Sequence, residues 1–126
     1  MNELKSLSLT LVTENQEENE MAVELGDMIR NELGEGWKIE RIAKYPKFLN
    51  SRKIEFVKDF GNISFDALNI LAIQLTDKLV SPWLLYFDDD ENSIELIYNK
   101  QENAKNRNPE YLAIKWGHLQ MNKRIE

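Results

Sequence analysis

The sequence contains no cysteine. Disulfide staples and thiolate metal sites are therefore excluded, and nothing points to an oxidising compartment. It has a single histidine, His118. Nucleophilic catalysis usually needs a nucleophile, an activating base and a group that orients the base, and one histidine beside Trp116 is thin material for that. Long apolar runs are also missing. The longest, 70–73 and 83–87, fall far short of the ~18 residues of a membrane span. The start, Met1-Asn2-Glu3-Leu4-Lys5, lacks the basic residues and apolar block of a signal peptide, so a cytoplasmic location without membrane contact is expected.

Phosphate-binding loops are absent in recognisable form. Gly34-Glu35-Gly36 follows a helical pattern, whereas a dinucleotide fingerprint follows a strand and opens a helix. No G-x-x-x-x-G-K-[ST] occurs. Asp88-x-Asp90-x-Asn92 matches the first ligand positions of a calcium loop, but Ser93 stands where the turn needs glycine and Asn99 where a bidentate glutamate is needed. No cofactor and no metal is expected. Clustered carboxylates leave an acid–base enzyme as one option, although abundance of acids is not a site.

The 126 residues suit one domain, and folding at this length buries roughly two-thirds of the unfolded chain's surface. A single α+β domain over 1–126 is expected. Residues 6–13 alternate, with Leu7, Leu9 and Leu11 on one side, as in a half-buried strand. Thr13 and Gln16 have capping-box spacing, which predicts a helix start there. Met21, Ala22, Leu25, Met28, Ile29 and Leu33 then share an arc of about 140°. Gly34 and Gly36 end that helix. Residues 37–45 predict a strand with a bulge near Ile42, paired as a hairpin with a strand through Ile54, Phe56 and Val57. Asn62 or Ser64 caps a second helix that runs to Ser81-Pro82.

Residues 83–87 read as a central strand because they are apolar without interruption. A polar turn at 88–92 leads to a strand through Ile94, Leu96 and Tyr98. Residues 100–108 read as a loop, and 112–121 as a strand after a helical turn, with a helix as the competing reading. The order is β-α-β-β-α-β-β-β. This predicts a mixed or antiparallel sheet with two helices on one face, and the first six elements follow a ferredoxin-like split β-α-β.

The net charge of −6 is unevenly spread. Residues 1–36 carry −7, 37–58 carry +5, 59–100 carry −6 and 101–126 carry +2. Two features stand out. Glu17, Glu20, Glu24 and Asp27 line one face of the first helix, and Asp88, Asp89, Asp90 and Glu91 crowd the turn. Such carboxylates raise the negative potential and steer a basic partner to the surface. A solvated helix face accounts for the stripe equally well. The second feature is the basic hairpin 37–58, where Tyr45 and Phe48 sit among lysines, a pattern that suits single-stranded nucleic acid. Lysines that deter edge-to-edge pairing are its plainer explanation.

In size, lack of cysteine, acidity, α+β order and the aromatic segment Tyr111-Leu112-Ala113-Ile114-Lys115-Trp116-Gly117-His118-Leu119, the chain resembles the small immunity proteins of bacterial toxin–immunity systems, such as those of contact-dependent growth inhibition. The resemblance implies a non-enzymatic protein that binds a cognate toxin domain one-to-one, often a nuclease, and occludes its basic groove. The eight carboxylates named above are the expected contact residues. The alternative is a nucleic-acid-binding module using the hairpin 37–58.

Overall fold

A computed structural model describes residues 3–88, 90 and 92–125. The order is β1 (Glu3–Thr13), α1 (Asn19–Leu33), β2 (Lys38–Lys44), β3 (Arg52–Gly61), α2 (Phe65–Asp77), β4 (Val80–Ser81), β5 (Leu84–Asp88), β6 (Ser93–Asn99), β7 (Lys105–Asn106), a 3-10 turn (Pro109–Ala113) and β8 (Ile114–Ile125). Six strands form one antiparallel sheet in the order β2-β3-β1-β8-β6-β5, while β4 and β7 pair separately. No helix among the described residues is long and apolar enough to cross a membrane.

Register explains the layering. Leu9 lies across from both Phe56 and Leu119, and Leu11 across from Ile54 and Gly117. Opposed residues point to the same face, so these side chains form one apolar surface with Leu96 and Tyr98 of β6. Ala22, Leu25, Ile29 and Leu33 of α1, with Leu68, Ala72 and Leu75 of α2, close over it. The opposite face carries Ser8, Thr10, Gln120, His118, Glu95 and Ile97, and no helix covers it.

The split β-α-β expectation holds for β1, α1, β2 and β3. The place on the other side of β1 goes to β8, the last strand, and the strand after α2 travels to the far edge. Several local expectations shift for identifiable reasons. Thr13 is buried in β1 and its hydroxyl donates to the Arg52 carbonyl, so Thr13 and Gln16 form no capping box, and α1 starts at Asn19. Ser64 does cap α2, accepting from the Ala67 N–H. That helix ends at Asp77, short of Pro82, because β4 intervenes. The bulge in β2 lies between Ile39 and Arg41, which keeps Ile39 and Ile42 both over the core. The loop 100–108 contains the short β7.

The largest correction concerns β5. It is an edge strand, not a central one, and all five of its residues are exposed.

Candidate functional site

A run of apolar residues reads as buried on both faces, yet β5 closes the sheet where one face is open and the helical layer thins out on the other. Leu84, Leu85, Tyr86 and Phe87 are 57%, 48%, 51% and 52% exposed. Leu84 and Tyr86 lie across from Ile97 and Glu95 on the open face, whereas Leu85 and Phe87 turn towards the helices. Phe65 of α2 meets Phe87, edge to face at 5.5 Å. Ile70 and Ile73 of α2 are exposed as well. Half of each of these four side chains is about 100 Å², so the strand exposes about 200 Å² of largely apolar surface on each face.

The other edge is built oppositely. β2 carries Lys38, Glu40, Arg41 and Lys44 in seven residues and has a bulge. Charges and bulges on an edge strand discourage pairing with another chain. In β5 the only charge is Asp88, at its end, and the register to β6 is unbroken.

The eight acidic residues do not form one face. Glu20, Glu24 and Asp27 are exposed on α1, which packs against β2 and β3, and Glu17 lies in the connection before it. Asp27 approaches Arg30 at 4.0 Å. Asp88 and Asp90 lie at the β5–β6 turn, where Asp88 Oδ1 accepts from the Asp90 N–H. Asp89 and Glu91 lie outside the described residues. Between β3 and β5 stand β1, β8 and β6, a separation of about 19 Å at the usual strand spacing. That exceeds twice the screening length of ~8 Å at physiological salt, so the two acidic groups act as separate fields. The turn adjoins the apolar strand and the helix stripe does not.

The basic hairpin is divided too. Arg52 is buried, donating to the Ser51 and Glu17 carbonyls, Lys58 donates to the Glu35 carbonyl, and Lys53 pairs with Glu55. Lys38 and Arg41 lie on the open face opposite Val57 and Glu55. Lys47 joins a cleft of about 380 Å³ lined by Val12, Tyr45, Phe48, Asn99, Lys100, Lys115 and Trp116. His118 has a partner that spacing could not reveal, since Nε2 sits 2.7 Å from Glu95 Oε2 across the open face. Thr10 is opposite His118 in register. No group of three or more acids and histidines among the described residues is close enough to hold a metal ion.

No family model matches the chain, and neither a curated protein nor a solved structure is significantly similar to it.

Proposed function

We propose that the chain is an immunity-type inhibitor that binds a basic toxin domain one-to-one through the β5 edge and the acidic turn beside it. The observation that carries this reading is the unguarded edge: four large side chains about half exposed on the strand that ends the sheet among the described residues, while the other rim is charged and bulged. An extended segment of the partner can add to such a rim, with backbone hydrogen bonds supplying affinity and side-chain contacts supplying selectivity. Asp88 and Asp90 at the end of the strand then meet the cations of a nucleic-acid groove. Of the eight expected contact residues, this reading retains the turn and releases the α1 stripe.

The test is co-purification with the product of the adjacent gene, with binding measured by titration calorimetry. Leu84→Lys with Tyr86→Lys should weaken the complex by at least about tenfold, equivalent to ~1.4 kcal/mol. Asp88→Lys with Asp90→Lys should chiefly slow association. Glu20→Lys with Glu24→Lys should change neither. A complex that tolerates the β5 changes and fails on the α1 changes places the contact on the helix stripe and removes this reading.

A further inference from the structure

Away from β5, the β2–β3 loop folds against the end of the open face and makes the cleft of Tyr45, Lys47, Phe48, Lys100, Lys115 and Trp116. Tyr45 and Phe48 stack at 5.8 Å. The Lys115 ammonium lies 3.7 Å from the Phe48 ring centroid and that of Lys47 lies 5.9 Å from it. Two cations thus converge on one ring. Among the described residues neither has a carboxylate within ion-pair distance, whereas Lys100 is committed to Glu14 at 2.6 Å and to the Leu112 carbonyl at 2.7 Å. In a chain of net charge −6, carboxylates are plentiful. Leaving two lysines together without one creates a local positive potential whose natural complement is an anion.

The register explains how these groups meet. Val12 lies across from Trp116 and Thr13 across from Ile114, so Lys115 is the extra residue of a bulge. The bulge frees Lys115 from strict alternation and delivers it to the loop beside Trp116. The apolar half of the cleft is aromatic: Trp116 and Tyr45 are partly exposed and Phe48 is 41% exposed. At about 380 Å³ the cleft falls near the lower end of ligand sites. Flat aromatic walls beside paired ammonium groups fit a planar base carrying a phosphate.

We propose that this cleft binds a nucleotide unit, its base against Trp116 and its phosphate between Lys47 and Lys115. The unit is either a free mononucleotide or one residue of a single strand. The site lies apart from the acidic turn, since Asn99, in the cleft, and Ser93, at the turn, are the two ends of β6, about 20 Å apart by strand rise, while Leu84 at the near end of β5 pairs with Ile97, two residues from Asn99.

The experiment is amide NMR and calorimetry on the full chain, titrated separately with AMP, adenosine, inorganic phosphate and a deoxyadenylate hexamer. AMP should shift the amides of Tyr45, Phe48, Lys100, Lys115 and Trp116, with adenosine and phosphate binding at least about tenfold more weakly. Response to both AMP and the hexamer supports the shared chemistry, and response to the hexamer alone assigns the source to a single strand. For the hexamer, one phosphate held by both lysines predicts a log–log salt slope of about −0.7. Lys115→Glu and Lys47→Glu should each cost about tenfold, and Lys115→Arg should retain binding. Absence of any shift with AMP and hexamer at about 1 mM, phosphate binding as well as AMP, or shifts confined to Lys38 and Arg41 would each overturn the assignment.

Discussion

Replacing Gly117 by alanine tests how the core supports the edge strand. Gly117 lies in the first half of β8, opposite Leu11 on one side and Tyr98 on the other. A Cβ there would stand 2.5 Å from Trp83 Cη2, 3.0 Å from Trp83 Cζ3 and 3.1 Å from Leu11 Cδ2. The indole must move by about 1 Å to reach ordinary contact, an overpacking that costs about 1–3 kcal/mol. It cannot move freely, because its Nε1–H donates to the Thr76 and Val80 carbonyls at 3.1 and 2.7 Å. Weakening those bonds adds about 1 kcal/mol. Gly117→Ala should therefore destabilise the protein by about 2–4 kcal/mol in urea unfolding. At about 4 °C per kcal/mol for this length, Tm should fall by roughly 8–16 °C. Trp83→Phe shortens the ring and relieves the clash, so the double variant should cost at least about 1 kcal/mol less than the two single costs added together. A Gly117→Ala change under about 0.5 kcal/mol, or strict additivity, would refute the argument.

Three further outcomes are expected. Burial first, then the Glu32 charge and the hydrogen bond to it, push the Tyr111 hydroxyl up to about 12. The folded state thus holds a proton that the unfolded chain releases near pH 10, and stability should fall as pH rises from 10 to 12. Tyr111→Phe should flatten much of that fall in urea unfolding followed from pH 9 to 12, leaving the smaller share of Tyr98, which burial also raises. Ser64→Ala removes the α2 cap and should cost about 1 kcal/mol in urea unfolding, with Ser64→Asp close to neutral. Leu84→Lys with Tyr86→Lys should leave Tm nearly unchanged, within about 0.5 kcal/mol, because both side chains are exposed, and should reduce self-association in sedimentation at high concentration.

Most elements were legible because alternation and helical spacing report one-sided burial directly. Leu7, Leu9 and Leu11 announced β1, and Ala22, Leu25, Ile29 and Leu33 announced the buried side of α1. The pattern failed where burial is not one-sided. Five apolar residues in a row cannot say whether both flanks are covered, as expected, or open, as found in β5. Capping-box spacing at Thr13 and Gln16 was real but lost to a strand ladder that runs to Thr13. The candidate sites were half legible. Charge and aromatic content could be counted, yet sheet order is non-local, so nothing along the chain told that the helix acids and the turn acids would be separated by three strands. Nor did it tell that Lys115 and Trp116 would meet Phe48, since that meeting depends on the bulge at the start of β8.

The unequal rims of the sheet also set a limit on what the free protein can assemble into. Two copies joined rim to rim through β5 would present only the charged, kinked β2 strands at both ends of the widened sheet. Growth would halt at a pair, so the stickiness of the exposed rim is finite and leads to no fibre.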